Sequence, residues 1–257
     1  MTEIRPVRMQ ECDRFLAILC EVFDLDYDLA HGVFFADPGF DPARKWALFI
    51  EGEMQTILTT TPLQFGSSHA IGIAGVATLP AARGKGYAER LVSEVCSVSE
   101  AQGVSEAILF AKRRGLYEKC GFEVVDELVR GPIATLPTDT VGPALSFSEV
   151  EQLYADWSHQ DSRRLRRDSH SWAKWKYSLK VCEPMGGGYA CLEGTMIREA
   201  MTTDQALSWP VPPGAEWYGL RTLTDRIGVP GDLKFADLYL MGRGCPSPPQ
   251  MFMTDQF

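Results

Sequence analysis

The sequence predicts an α/β fold, and three observations predict it. Residues 76–88 read Val-Ala-Thr-Leu-Pro-Ala-Ala-Arg-Gly-Lys-Gly-Tyr-Ala, an apolar strand that runs into an Arg-x-x-Gly-x-Ala turn. Behind the turn, Tyr87, Leu91, Val95 and Val98, with Ala88, Val92 and Cys96, recur at three- and four-residue spacing, the period of a helix with one buried face. An extended run over 104–111, a short helical segment over 116–122 and a second extended run over 122–128 complete the order strand, helix, strand, short helix, strand.

The turn has a chemistry of its own. A helix N-terminus leaves backbone N–H groups unpaired and carries partial positive charge, so Arg83, Gly84, Lys85 and Gly86 brought onto one offer a pyrophosphate several donors together. Glycine is needed where the backbone itself must approach a phosphate. An Arg-Gly-Lys-Gly stretch is also common in ordinary polar loops, and it is the elements around this one that single it out.

Earlier in the chain, Phe15, Leu16, Leu19, Cys20 and Phe23 predict a helix with an inward face, and Asp24, Asp26 and Asp28 are expected in the loop after it. Eight carboxylates (Glu11, Asp13, Glu21, Asp24, Asp26, Asp28, Asp37 and Asp41) stand between positions 11 and 41 against Arg14 alone. Most carboxylates of an acidic protein simply solvate a surface, but a cluster of this size also suits a cationic ligand.

The second half begins after a punctuated stretch over 137–143, which reads as a linker and divides the chain into units 1–135 and 136–257. Val150, Leu153, Tyr154 and Trp157, then Trp172, Trp175 and Leu179, predict a helix in two pieces over 146–180, with Arg163, Arg164, Arg166 and Arg167 between them. That basic run suits either local ion pairs or an RNA contact. A hairpin turning at Gly194, a helical stretch over 217–227, a strand over 236–241 and an apolar final strand over 251–257 follow.

The net charge of −9 argues against nucleic acid as the main partner and for cationic ligands. The start lacks an apolar signal segment, and no apolar run approaches the ~20 residues needed to cross a bilayer, so a soluble, cytoplasmic protein is expected. The seven cysteines contain no Cys-x-x-Cys pair and the four histidines lie far apart, which predicts reduced thiols and no metal. Cys120 is either a small core residue or a nucleophile.

With Arg83-Gly84-Lys85-Gly86-Tyr87-Ala88 followed by Tyr117-Glu118-Lys119-Cys120-Gly121-Phe122, the chain resembles the GNAT acyl-CoA N-acyltransferase superfamily. The resemblance implies a mixed, mostly antiparallel sheet with a V-shaped splay. It implies that acetyl-CoA is the co-substrate: pantetheine on Val76, Ala77 and Thr78, pyrophosphate on the amides from Arg83 to Ala88, and Lys112 or Arg113 near the nucleotide. It places the acidic N-terminal region on the acceptor side, hence a polyamine, an aminoglycoside-like amine, another small amine or a lysine as acceptor. A second, degenerate GNAT-like unit without the Arg-x-x-Gly-x-Gly motif, and the segment Leu-Arg-Arg-Asp-Ser-His-Ser-Trp over 165–172, are similar to the Eis-type acetyltransferases.

Direct transfer to an amine needs a proton acceptor for the amine and a donor for the departing thiolate. The resemblance makes Tyr117 the donor, and a phenol stays protonated at neutral pH. Many GNAT enzymes carry a glutamate on the strand before the glycine turn, but here that strand reads Ser-Ser-His-Ala-Ile-Gly-Ile-Ala-Gly-Val, with His69 its one titratable group. The Eis likeness implies instead a terminal carboxylate, here that of Phe257, with Asp255 as a fallback. Both bases stay open, as does a non-catalytic acyl-CoA sensor or scaffold, and oligomerisation through the aromatic-rich second half.

Overall fold

The structure is a computed structural model that describes residues 1–136, 145–178, 181–185, 187–201 and 208–257. Strand β1 (Thr2–Pro6) is followed by helix α1 (Cys12–Phe23), which buries Cys12, Phe15, Leu16, Ile18 and Cys20. Phe23 does not face inward as expected but is 48% exposed, because the helix stops at Asp24 in the left-handed conformation and the chain turns away. Asp26 then caps a second helix, α2 (Tyr27–Ala36), by accepting a hydrogen bond from the Leu29 amide, so Asp28 lies in a helix rather than a loop.

Strands β2 (Lys45–Ile50), β3 (Glu53–Phe65) and β4 (Ser68–Thr78) form an antiparallel meander. The predicted alternation follows as α3 (Tyr87–Ala101), β5 (Glu106–Ala111), α4 (Gly115–Lys119) and β6 (Glu123–Pro132). The two-piece helix is α5 (Phe147–His159), opened by a reciprocal Ser146–Glu149 capping box, and α6 (Ser169–Ser178), with a short strand β7 (Leu165–Arg166) between them. Leu179 and the linker over 137–143 lie outside the described residues.

The hairpin at Gly194 is formed by β9 (Gly188–Glu193) and β10 (Met196–Met201), after β8 (Val181–Met185). The stretch 217–227 is only half helical. Its first part is β11 (Glu216–Leu220), held between β6 and β10, and only then does α7 (Arg221–Ile227) begin. A short aromatic run satisfies either period, and burial of Trp217 and Leu220 inside the sheet decides for the strand. The last strand is β12 (Lys234–Arg243), and the apolar end is no strand. Met251, Phe252 and Met253 are buried, but a 3₁₀ turn over Met253–Asp255 curls the segment onto the sheet face.

All of these strands share one sheet in the order β1-β2-β3-β4-β5-β12-β6-β11-β10-β9-β8, with β7 against β3. β12 lies between β5 and β6 and is antiparallel to both. The boundary near residue 135 therefore does not separate two sheets: a strand from the second half completes the sheet of the first. Of the described cysteines, five are free thiols, whereas Cys191 is disulfide-bonded, so the expectation of reduced thiols does not extend to it. No helix among the described residues is long and apolar enough to cross a membrane.

Candidate active site

The parallel pairing of β4 with β5 runs from Ala70 opposite Glu106 to Ile73 opposite Leu109 and stops there, although β4 continues to Thr78 and β5 to Ala111. On its other edge β4 carries one extra residue between Ala74 and Ala77, with Gly75 at φ 60°. Such a bulge bends one strand away from its neighbour and leaves main-chain groups unpaired, here those of residues 74–78 on the side facing β5.

β4 delivers the chain into the glycine turn. Gly84 and Gly86 hold φ of 77° and 74°, and no atom lies within 4 Å of where a side chain would begin at either, so the turn faces open space. Among the described residues, the amides from Gly84 to Ala88 have no backbone acceptor; the helical pattern starts with Arg90 donating to Gly86. The Arg83 side chain folds back onto the Thr78 carbonyl at 3.3 Å, tying the turn to the end of β4.

Residues 3–125 match the family model described as an acetyltransferase (GNAT) domain. Over this segment the chain is similar to GNAT acetyltransferases. The chain as a whole is similar in fold to a GCN5-related N-acetyltransferase from Anabaena variabilis, with 15% identity, coverage of 95% of this chain and 72% of that one, and a TM-score of 0.66. It is similar also to a GCN5-related N-acetyltransferase from Kribbella flavida (14%, 94% and 70%, TM-score 0.65) and to Eis1 from Mycobacterium abscessus (12%, 95% and 73%, TM-score 0.62). Comparison with curated proteins gives no match.

Within the matched segment, Tyr117 sits on α4 and packs in the same cluster as Val76 and Tyr87, on the α3 side of the splay. Its hydroxyl makes no hydrogen bond among the described residues, and burial pushes its pKa up. Cys120 is buried beneath it, and burial likewise raises its thiol, so it is a core residue without the low pKa of a nucleophile. Lys112 borders a second hollow with Arg130, Tyr218 and Phe235.

On the opposite face of the sheet a cavity of about 650 Å³ opens where β3 lacks a neighbour. β2 ends at Lys45 opposite Thr59, and β7 begins to pair only at Gln64, so the β3 edge between them is free. Thr59, Thr61 and Leu63 line the cavity below; α6 and the chain's last residues close it above. The Phe257 ring lies on Gly72, where any side chain would come within 2.7 Å of it, and against Phe110 at 5.7 Å between centroids. Phe257 thus covers the last paired residues of β4 and β5. His69 also borders the cavity but pairs with Gln64, at the end of β4 away from the splay.

Position 72 is consequently a sensitive site. Gly72→Ala is expected to cost about 1–3 kcal/mol by overpacking, and the double variant with Phe257→Ala to recover most of that, as read from thermal melts; equal stability of G72A and wild type would contradict the contact.

The segment carrying Phe257 is fixed by a network that the sequence did not disclose. Arg167, fully buried, donates from Nε to Asp255 at 2.7 Å and from Nη1 and Nη2 to Glu199 at 3.1 and 2.6 Å, with Nη2 also reaching Thr254. Glu199 also accepts from Trp175 Nε1 at 3.0 Å, from the Tyr189 hydroxyl at 2.6 Å and from Thr254. Burial would raise the Glu199 pKa, but attraction to Arg167 and the bonds from Arg167, Thr254 and Tyr189 carry it below the usual value; burial wins at Asp255, which is raised. The run of arginines is thus not a free basic stripe. Arg163 pairs with Glu106 at 2.9 Å, and Arg164 donates to the Trp157 carbonyl at 2.7 Å.

The acidic N-terminal cluster is mostly engaged elsewhere. Glu11 is bound by Arg5, Asp13 by Tyr27, Asp26 caps α2, and Asp41 accepts from the Ala43 amide. Of the eight carboxylates only Asp37 lines the cavity, and its Oδ1 accepts from the Gly39 amide at 2.7 Å.

Proposed function

We propose that the protein is an acetyl-CoA-dependent N-acetyltransferase that passes the acetyl group directly to a primary amine. The observation that carries this reading is the end of β4–β5 pairing at Ile73 and Leu109, beside a helix-opening turn with unspent amides and above a cavity that reaches the same strands from the other face. The main chain of Val76, Ala77 and Thr78, which β5 leaves uncovered, suits the amides of pantetheine, and the turn from Arg83 to Ala88 suits the pyrophosphate. The acceptor then enters through the cavity, and the two substrates meet at the splay.

Tyr117 supplies a proton to the departing thiolate. The amine must lose a proton to attack, and two groups are candidates to take it. One is a carboxylate at Phe257; the other is His69. Ring contact with Gly72 favours the former, since His69 is several residues farther along β4 from the splay. Adding two residues after Phe257 is expected to abolish turnover while acetyl-CoA still binds; retained turnover moves the role to His69.

The reading as a whole is tested by following free thiol from acetyl-CoA in the presence of a panel of amines. Intact acetyl-CoA binding with no thiol release from any amine would instead indicate a binding protein. Gly86→Asp probes the phosphate site separately: it places a like charge where the pyrophosphate lies, and acetyl-CoA affinity is expected to fall roughly tenfold or more; the site is open but Gly86 holds φ of 74°, so a lower melting temperature from backbone strain accompanies it, and Gly86→Ala is the control for that strain. Unchanged affinity in calorimetry would remove the turn from the binding site.

A further inference from the structure

Strand pairing sets Lys45 close to the β4 side of the splay. Residues directly opposite in neighbouring strands share a face, and Lys45, Thr59 and Ala74 form one such row across β2, β3 and β4. Ala74 is the first β4 residue beyond the last pair with β5, and strand spacing of ~4.8 Å places the Lys45 backbone only about 10 Å from it. The row shares its face with Gly72 and hence with the Phe257 ring, on the cavity side.

The state of the ammonium is unusual. Lys45 is only 8% exposed, and its Nζ lies over the rings of Phe34, Phe40 and Phe15 at 4.5, 5.3 and 5.7 Å. Among the described residues it has no hydrogen-bond or ion-pair partner. The neighbouring acids are spoken for, Asp37 by the Gly39 amide and Asp41 by Arg44 at 3.4 Å. Desolvation pushes the Lys45 pKa down, with attraction to Asp37 only partly opposing it. A buried cation without an anion is costly, and a bound oxyanion removes the cost.

The rest of the cavity wall agrees. Its side-chain carboxylates are each engaged: Asp168 with the Ser171 amide at 2.7 Å, Glu193 with Arg198 at 2.7 Å and Asp255 with Arg167. A second cation, Arg166, has a buried Nε without a partner, but it stands opposite Gln64, about 16 Å along β3 from the Lys45 row at ~3.3 Å per residue, too far to share a small anion.

Resting on the acyl-transfer reading, we infer that the acceptor is an amine bearing a compact oxyanion, a carboxylate or a phosphate, which Lys45 binds so that the amine points at the splay. An α-amino acid has this form, with amine and carboxylate on one carbon, and fits a row in which the anion site and the acyl site are two strands apart.

The test compares wild type, Lys45→Met and Lys45→Arg for thiol release from acetyl-CoA with the α-amino acids, each beside its decarboxylated amine, and with phosphoethanolamine beside ethanolamine. In wild type at least one anionic amine is expected to exceed its uncharged-tail counterpart in kcat/KM by roughly thirtyfold or more. K45M collapses that ratio towards one, and K45R retains most of it; whether carboxylate or phosphate carries the preference identifies the source. Preference for the plain amines overturns the inference and leaves the acyl-transfer reading standing. A thermal-shift titration with succinate and with inorganic phosphate reads the site without turnover. Half-saturation at least tenfold higher in K45M supports the anion site, whereas no shift, or equal shifts in both proteins, overturns it. Anion binding that depends on Lys45, with no thiol release from any amine, sinks the acyl-transfer reading alone.

Discussion

Arg167→Met is expected to lower the stability of the folded protein by about 3–5 kcal/mol, the cost of removing one partner from a buried ionic group. The reason is geometric. Arg167 and Glu199 are fully buried and Asp255 is nearly so, and the arginine is the only cation joined to both carboxylates among the described residues. Methionine keeps much of the volume but leaves Glu199 and Asp255 facing each other with only neutral donors. At ~2–4 °C per kcal/mol for a chain of this size, the melting temperature should drop by roughly 10 °C.

The loss has a pH signature with a definite sign. Without the arginine, burial raises the pKa of both carboxyls in the folded state above their unfolded values. A raised acid is stabilised by protonation, so the penalty of R167M is fully present at neutral and higher pH and shrinks as the pH falls through the raised values. Denaturant titrations of wild type and variant at several pH values measure this directly. A difference below about 1 kcal/mol at neutral pH, in the range of an exposed ion pair, would mean that the network does not hold the segment. Because Asp255 and Thr254 lie just before Phe257, the variant should also lose transferase activity at temperatures where it remains folded.

Tyr117→Phe is the second large effect. If its hydroxyl protonates the leaving thiolate, kcat for thiol release falls by about 10²–10⁴, while the acetyl-CoA dissociation constant stays within a few-fold. Phenylalanine preserves the packing against Val76, Tyr87 and Phe122, so stability serves as the control. Burial keeps the phenol protonated well past neutral pH, so the wild-type rate should show no loss of the acid across the neutral range. An unchanged kcat with acetyl-CoA still bound would reduce Tyr117 to a packing residue.

Whether these residues could be named from the amino-acid sequence depended on the range of the interaction involved. The α3 helix and the turn before it were legible because helix period, glycine φ and exposed amides are decided within a few residues. β4 followed from the same short span, whereas Tyr117 was named through the family resemblance. Phe257 was legible as docked, since a chain end rich in Met and Phe has little reason to stay in water, but it was read as a strand because burial alone does not distinguish a strand from a turn. The helical reading of 217–220 failed for the same reason.

Long-range pairing decided the rest. Nothing near residues 234–243 says that they fill the gap between β5 and β6. That follows from pairing such as Tyr239 with Ala111 and with Glu127, between parts of the chain far apart in sequence. Arg167 looks in sequence like its neighbours Arg163 and Arg166; only the arrival of β10 and the final turn buries it against Glu199 and Asp255. Lys45 looks like a solvated first residue of a strand until α1, α2 and the turn after α2 lay the rings of Phe15, Phe34 and Phe40 over it. The sequence by itself determined the α/β order, the glycine turn and the helix behind it, because those rest on local conformational preference. The tertiary structure decided the completed sheet, the buried ion network and the charge of the cavity, because burial and pairing energies are summed over elements that meet only after the chain has closed on itself.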